Sequence, residues 1–338
     1  MEKHTIWNFG RQFAREPILR PMADGSLICL FLTGGPTEPH NENVVMVSRS
    51  FNDGATWTEP ATLFSHGARG VWSTELFVPL AGNTPAGDPF AVVQTYNAEC
   101  FYRELQTFRS YTHDAGKTWS EPVSFPSGMN GVTLRQGIVL SNGEWLFPLY
   151  WQETRGGFDW TKQPDTWWNF CCGVTVSSDG GQTYARYGYI RAEKSLWEPN
   201  CVELEPGHVV MFMRDDSVPY LRRADSCDFG RTWSKGAVTD IPNPNTKVTL
   251  LKARGKVVLI NNSTPVWGWE NRKCLDIRIS ERCGGFDTFR LAAKLEPEAE
   301  RWFYPHAFTD EKRELLYVAY ENACEHRLQK FTYAELGL

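Results

Sequence analysis

The feature of this sequence that most constrains its fold is a short phrase that recurs four times. The copies begin at residues 50, 112, 177 and 226 and read SFNDGATW, THDAGKTW, SSDGGQTY and SCDFGRTW. They share the pattern Ser/Thr-x-Asp-x-Gly-x-Thr-aromatic, with Asn52 in place of the Asp in the first copy. In such a phrase the Asp accepts hydrogen bonds from N–H groups of its own loop, the Gly takes a positive φ, and the aromatic side chain packs under a neighbouring strand. Each copy therefore predicts a hairpin turn.

A fifth, degraded copy, SERCGGFDTF, covers residues 280–289 and has Arg282 where the Asp would stand. Between the copies lie several short apolar runs, such as SLICLFL, GEWLFPLYW, HVVMFMR and KVVLINN. Runs of this length and alternation indicate strands rather than helices. Strand-rich units that repeat every 50 residues or so predict an all-β fold, a six-bladed β-propeller. Five blades would carry the turn, and the N-terminal strand would complete the sixth.

Length and composition fit one large domain. No Gly-, Ser- or Pro-rich stretch and no run of charges interrupts residues 1–338, which we treat as a single domain. The net charge of -5 offers no basic surface for nucleic acid, and no stretch of about 18 apolar residues predicts a membrane span. The N-terminal residues lack the apolar run of a signal peptide. We therefore expect a cytoplasmic protein, or a secreted or periplasmic one if a leader has been removed.

Nine cysteines bear on redox state and metal binding. They include no CxxC pair and no Cys/His spacing of the kind that holds zinc. The sequence therefore predicts reduced thiols and no metal site.

The repeated phrase resembles the Asp-box of the sialidase (neuraminidase) superfamily, including its bacterial BNR-repeat branch, which is similar to glycoside hydrolase family 33. The resemblance covers most of the chain and continues outside the boxes. AREPIL, LWEPNCVEL, GHVVMFMRD, NRKCLDIRIS, RWFYPHAF and LLYVAYE resemble, in the family's order, the segments that carry its site residues. The matching positions are Arg15, Glu198, Arg214, Arg272, Tyr304 and Glu321.

The resemblance implies removal of a terminal acidic sugar, sialic acid or a related ulosonic acid, from a glycan with retention of configuration. The three arginines would bind the sugar carboxylate through their planar guanidinium forks, and Glu321 would orient one of them. Tyr304 would be the nucleophile, because the carboxylate on the anomeric carbon repels an anionic one. Glu198 would be its base, since a free phenol with a pKa near 10 is a weak nucleophile. This chemistry needs no cofactor and no metal.

The acid/base residue departs from the family. The family places an Asp on the loop after the first strand that carries an arginine, and here that loop reads TGGPTEPHNENVV, without an Asp. His40 stands nearest the expected position, between Glu38 and Glu42. We expect His40 or a neighbouring Glu to be the proton donor, because either side chain can carry a proton at the working pH.

Two further functions stay open at this stage. His306 stands beside Tyr304, where small residues are common in the family, and arginines with a histidine would also suit β-elimination at a uronate. A lyase or glycosidase acting on uronate- or rhamnose-containing glycans is therefore one alternative. The other is a carbohydrate-binding propeller without catalytic activity.

Three more residues are candidates for the pocket. Glu75 and Arg135 stand near predicted strand ends, where they would contact the leaving group or pair with each other. The aromatic-rich segment 155–170, RGGFDWTKQPDTWWNF, is expected to overhang the pocket. Its Trp168 would stack on a sugar ring or cap a blade.

Overall fold

Six antiparallel sheets lie around a common axis in the computed structural model, which describes residues 2–81, 84–97, 101–127, 129–152, 170–283 and 288–338. The predicted six-bladed propeller is confirmed. In the first five blades the strands follow one another in sequence order from the axis outward, and in the sixth the N-terminal strand of the chain is outermost. The first strands of blades 4, 5, 6, 1 and 2 contact one another in that order around the axis, which brings together residues from distant parts of the sequence.

The first strand of the chain is β1 (Glu2–Asn8). Blade 1 consists of β2 (Ala14–Pro21), β3 (Leu27–Thr33), β4 (Val44–Ser50) and β5 (Ala61–Phe64). Blade 2 consists of β6 (Gly70–Phe77), β9 (Phe90–Asn97), β10 (Phe101–Tyr111) and β11 (Val123–Ser124), with the small hairpin β7 (Leu80–Ala81) and β8 (Thr84–Pro85) between its first two strands. Blade 3 consists of β12 (Val132–Leu134), β13 (Ile138–Val139), β14 (Trp145–Gln152), β15 (Phe170–Ser177) and β16 (Ala185–Ile190).

Blade 4 consists of β17 (Leu196–Glu205), β18 (His208–Asp215), β19 (Tyr220–Ser226) and β20 (Ala237–Pro242). Blade 5 consists of β21 (Thr249–Ala253), β22 (Lys256–Asn262), β23 (Leu275–Ser280) and β24 (Phe289–Lys294). Blade 6 consists of β25 (Phe303–Asp310), β26 (Leu315–Glu321) and β27 (Glu325–Thr332), with β1 as its outermost strand. A 3₁₀ helix (Trp269–Asn271) precedes β23, and α1 (Tyr333–Leu336) ends the chain. No helix in the described ranges is long and apolar enough to cross a membrane.

The ring is closed by pairing the two ends of the chain. β1 pairs with β27 in antiparallel register from Glu2 opposite Lys330 to Asn8 opposite Glu325. The N-terminal strand therefore completes the last blade, as the sequence predicted. Opening the ring would expose two strand edges and an inter-blade core at once, so this pairing ties the stability of the first blade to that of the last.

Six hydrophobic clusters fill the spaces between neighbouring blades, one for each pair. The middle strands lie between two such clusters, and β3 is accordingly buried at every residue. A strand that is covered on both faces reads as a continuous apolar run, as LICLFLT does, whereas the outer strands alternate or are polar. The side chains that face the axis are therefore held by strands that are tightly packed on both faces.

The repeated turns all join the third strand of a blade to its fourth. In the second copy, Asp114 Oδ1 accepts hydrogen bonds from the backbone N–H groups of Lys117 (3.0 Å) and Thr118 (2.8 Å), and the Gly116 N–H donates to Thr112 Oγ1. The copies that begin at residues 177 and 226 repeat these bonds. Blade 6 has no copy because its third and fourth strands, β27 and β1, are not consecutive in the chain.

Replacing the turn carboxylate tests its contribution to stability. The Asp228 carboxylate accepts four hydrogen bonds, from the Arg231 and Thr232 N–H groups and from the hydroxyls of Ser226 and Thr232. Asp228→Ala is expected to lower the free energy of unfolding by about 1–2 kcal/mol, measured by urea denaturation. Asp228→Asn is expected to retain most of the native stability, because the Asn52 side chain accepts the equivalent bond from the Thr56 N–H in the first turn. Equal losses in both variants would contradict this account.

Candidate active site

Three first strands bulge at the same level of the propeller. The antiparallel register shifts between Arg15 and Ile18 in β2, between Trp197 and Asn200 in β17, and between Phe303 and His306 in β25. At each bulge a non-glycine residue in the left-handed region precedes a proline: Glu16 (φ 55°), Glu198 (φ 48°) and Tyr304 (φ 51°). A following proline disfavours the right-handed helical conformation, and a left-handed non-glycine residue costs about 1–3 kcal/mol. The backbone is thus strained where these three side chains meet.

Tyr304 and Glu198 form the centre of the site. The phenol donates a hydrogen bond of 2.6 Å to Glu198 Oε1, and the two residues are only 5% and 6% exposed. Burial and the neighbouring Glu198 raise the pKa of the Tyr304 phenol. Although burial opposes it, the charges of Arg214 and Arg135 and the bond from Tyr304 hold the pKa of Glu198 below its usual value. The phenol therefore carries the proton, and an ionised carboxylate is in place to take it.

Three guanidinium groups surround this phenol. Arg15 lies 4.4 Å from the centre of the Tyr304 ring and Arg272 lies 5.1 Å from it. Arg214 Nη1 lies 3.4 Å from Glu198 Oε2. The structure thus brings together all three arginines that the sequence assigned to a carboxylate.

The three arginines differ in how their charge is balanced. Arg15 Nε donates to Glu321 Oε1 at 2.6 Å, which is the orienting contact that the resemblance implied. Arg214 Nε lies 3.4 Å from Asp216 Oδ1. Arg272 Nε donates to the Asn245 carbonyl at 3.0 Å, whereas its Nη1 and Nη2 have no hydrogen-bond partner among the described residues.

Arg272 is the least compensated of the three arginines. Its side chain is fully buried, and the Trp269 ring covers its guanidinium at 3.9 Å. Burial, together with the charges of Arg214 and Arg15, lowers its pKa to about 10. Buried donors of this kind require acceptors, and a planar carboxylate matches the two free nitrogens.

The loop that carries the acid/base candidates places Glu38 and His40 differently. Glu38 Oε2 lies 3.1 Å from Arg15 Nη1. Burial raises the pKa of Glu38 to about 7. The positive charge of Arg15 acts to lower this pKa, and the negative charges of Glu16, Glu321 and Glu198 act to raise it. His40 is 36% exposed, and its Nδ1 accepts from the Glu42 N–H at 3.2 Å and lies 3.8 Å from the Glu42 carboxylate. Of the two, Glu38 is the residue that the structure brings to the arginines.

A second layer of charged residues surrounds Arg135. Arg135 donates to both oxygens of Glu16 at 3.1 and 3.2 Å, and its Nε lies 3.4 Å from Glu75. Glu75 and Arg135 therefore pair with each other, which is one of the two arrangements expected from the sequence. Both side chains are 2% exposed, so they lie inside the propeller and not at its rim.

His306 belongs to this second layer. Its Nδ1 accepts from the Leu19 N–H at 3.2 Å, so the ring proton resides on Nε2, which lies 3.8 Å from Glu75. Burial and the charges of Arg20, Lys247 and Arg135 lower the pKa of His306 well below its usual value. His306 is thus a neutral, fully buried ring. The Trp168 prediction falls outside the described residues.

Sequence reasoning missed several residues of the site: Glu16, Asp216, Asn245, Lys247 and Trp269. Glu16 carried a usable signal, because it precedes a proline just as Glu198 and Tyr304 do. The others stand between strands, on loops or, for Trp269, in the short 3₁₀ helix, and no local pattern directs their side chains to the site.

Comparisons with known proteins agree on the family. A family model described as a BNR repeat-like domain matches residues 25–318. A curated relative from Bacteroides fragilis, named Sialidase, is 23% identical over 319 residues, which cover 83% of this chain and 54% of that protein. The chain therefore spans about half the length of that relative.

Solved structures share the fold. A Hadza microbial sialidase matches with a TM-score of 0.78 at 18% identity, over 99% of this chain and 69% of that chain. A protein of unknown function from Dyadobacter fermentans matches with a TM-score of 0.76 at 18% identity, over 98% of each chain. At these identities the likeness establishes the propeller architecture.

Removing Arg135 tests the second layer. Arg135→Met leaves two buried carboxylates without their cation, and we expect the free energy of unfolding to fall by about 3–5 kcal/mol in urea denaturation. Arg135→Met combined with Glu16→Gln is expected to recover part of this loss, since one uncompensated charge is gone. Arg313→Met, which removes a half-exposed ion pair with Asp53, is the matched control and should cost no more than about 1 kcal/mol. Similar losses from Arg135→Met and Arg313→Met would contradict the assignment.

Proposed function

The chain belongs to the BNR repeat-like domain family of the sialidase superfamily, and from this premise we propose that it is an exo-acting glycoside hydrolase of sialidase type. Its substrate is a glycan that ends in an acidic sugar, sialic acid or a related ulosonic acid. The reaction releases that sugar with retention of configuration. The relatives named sialidases support this class of activity.

The observation that carries the proposal is the 2.6 Å hydrogen bond from Tyr304 to Glu198 within a group of three arginines. The arginines bind the carboxylate on the anomeric carbon and thereby place that carbon over the phenol. A neutral phenol can approach a carbon that carries a carboxylate, whereas an Asp or Glu nucleophile would be repelled. The Tyr304 and Glu198 pair therefore matches this substrate class more closely than it matches a neutral sugar.

The first half of the reaction forms a bond between Tyr304 Oη and the anomeric carbon. The phenol proton moves to Glu198 as the bond forms. The glycosidic bond breaks, and its electron pair remains on the leaving oxygen, which takes a proton from Glu38. In the second half, Glu38 removes a proton from water, the water oxygen replaces Tyr304 on the anomeric carbon, and Glu198 returns the proton to the phenolate.

Tyr304→Phe tests the nucleophile. Turnover of 4-methylumbelliferyl sialoside, measured by fluorescence, is expected to fall at least about a thousandfold, because the bond-forming oxygen is absent. Glu198→Gln is expected to lose about 10² to 10⁴ in rate, since it removes only the base. Tyr317→Phe is the matched control on β26 and should leave the rate unchanged.

Two outcomes would contradict the proposal. If the native protein does not turn over sialosides, uronate-containing glycans should be assayed by the ultraviolet absorbance of a new double bond, whose appearance would identify a lyase. If it binds acidic sugars without turning over either class of substrate, the propeller is a carbohydrate-binding protein.

Glu38→Gln tests the general acid. A protonated Glu38 is required, and its pKa of about 7 predicts that kcat/KM falls as the pH rises above about 7. In Glu38→Gln this fall of kcat/KM at high pH, the alkaline limb of the profile, should disappear. The kcat/KM for sialyl-lactose should fall about 10² to 10³-fold, and the kcat/KM for the 4-methylumbelliferyl substrate much less, because kcat/KM reports the steps up to departure of the leaving group and that group departs without a proton.

His40→Asn separates the two donors that the sequence left open. Because its contacts are with Glu42, we expect His40→Asn to keep the alkaline limb and to change turnover of sialyl-lactose by less than about threefold. If the fall of kcat/KM at high pH were lost in His40→Asn and kept in Glu38→Gln, the proton donor would be His40 instead.

A further inference from the structure

Every blade contributes an ionisable side chain that stands in its first strand or within two residues of it. Five of the six are engaged with one another or with a neighbouring arginine: Glu16 and Glu75 with Arg135, and Glu198 with Tyr304. The sixth is Lys247 of blade 5, which stands two residues before β21.

Lys247 lies between the strands that carry Glu198 and Tyr304. Thr249 Oγ1 donates to the Pro305 carbonyl at 2.6 Å, and the Leu250 N–H donates to Asn200 Oδ1 at 3.0 Å. These bonds tie β21 to the bulges of β25 and β17, so Lys247 is held at the level of the nucleophile and its base.

A rigid turn directs Lys247. Asn243 Oδ1 accepts from the N–H groups of Asn245 (3.1 Å) and Thr246 (2.9 Å), and its Nδ2 donates to the Thr246 carbonyl. The carbonyl of Asn245 in the same turn accepts from Arg272 Nε. The turn therefore fixes both a carboxylate-binding arginine and the lysine.

The Lys247 ammonium is nine-tenths buried and lacks a partner. The side chain is 2% exposed, and its Nζ has no hydrogen-bond partner among the described residues. Burial and the charge of Arg135 lower the pKa of the Lys247 ammonium, while the charges of Glu16, Glu75 and Glu198 act in the opposite direction. A buried amine without a partner destabilises the folded protein, and a ligand that supplies the missing acceptor would remove this cost.

The groups around Lys247 offer acceptors as well as donors. Both oxygens of Glu75 and the Nε2 of His306 also lack hydrogen-bond partners among the described residues. A sugar hydroxyl accepts one hydrogen bond and donates another, so it satisfies an ammonium and a carboxylate at the same time. A flat apolar carboxylic acid offers neither.

We propose that Lys247 is a substrate-binding residue that donates a hydrogen bond to a ring hydroxyl of the acidic sugar whose carboxylate the three arginines hold. Lys247 then selects polyhydroxylated sugar acids over other carboxylates. This assignment rests on the proposed function for the class of ligand. It does not depend on turnover, because binding of the free sugar acid reports it directly.

The test is calorimetric titration of the native protein and of Lys247→Met with N-acetylneuraminic acid, glucuronic acid and benzoate. Lys247→Met is expected to weaken binding of the sugar acid at least about tenfold and to change benzoate binding by less than about twofold, because a hydrogen bond to a charged group is lost only with the hydroxylated ligand. Lys252→Met, the same substitution at the exposed far end of β21, should match the native protein. Equal weakening of benzoate, unchanged sugar binding, or failure of the native protein to bind either sugar acid would overturn the proposal.

Thermal unfolding without ligand separates binding from structure. Because Lys247→Met removes an unpartnered buried amine, the melting temperature should stay the same or rise. A clear fall in melting temperature would assign Lys247 to the fold and overturn its role in binding. If N-acetylneuraminic acid binds in a Lys247-dependent manner but no sialoside is turned over, the proposed function fails and the Lys247 assignment stands.

Discussion

The site depends on three bulges at which a left-handed residue precedes a proline. Glu16, Glu198 and Tyr304 each interrupt the hydrogen-bonded ladder of a first strand, and the proline that follows could not donate to that ladder in any case. The strain persists because the register resumes on either side and the inter-blade clusters fix the strands. Its consequence is that two carboxylates and a phenol from three distant segments face one axis at one level.

Burying this many charges requires that each be balanced. Among the described residues, Arg15 has Glu321 and Glu38, Arg214 has Glu198 and Asp216, and Arg272 has a carbonyl oxygen as its hydrogen-bond partner. Under the proposed function, an arriving carboxylate gains most at Arg272, because no carboxylate of the described residues is paired with it. A structural salt-bridge cluster would already have every cation paired, so this uneven compensation favours the proposed role of the three arginines in binding an anion.

The sequence predicted what local patterns encode. The repeated turns predicted the blades, and the family resemblance predicted the neighbours of Tyr304. Glu38 could not be separated from His40, because bonds that no sequence pattern signals shape their loop: Asn43 Oδ1 accepts from the Gly35 N–H and its Nδ2 donates to the Thr37 carbonyl. Lys247 was missed for a similar reason, since its burial follows from contacts of β21 with two other blades.

Under the proposed function, substrate binding itself would prepare the acid. In the free protein Glu38 lies on Arg15, and the charge of that arginine opposes the rise in its pKa that burial causes. A substrate carboxylate on Arg15 shares the same guanidinium and adds a negative charge beside Glu38, and both effects favour the protonated form. Binding therefore takes up a proton at Glu38, and the proton is in place when the glycosidic bond breaks. A carboxyl group with a pKa near 7 needs only this small further shift to be protonated at neutral pH, which gives a glutamate the role that the family's aspartate has elsewhere.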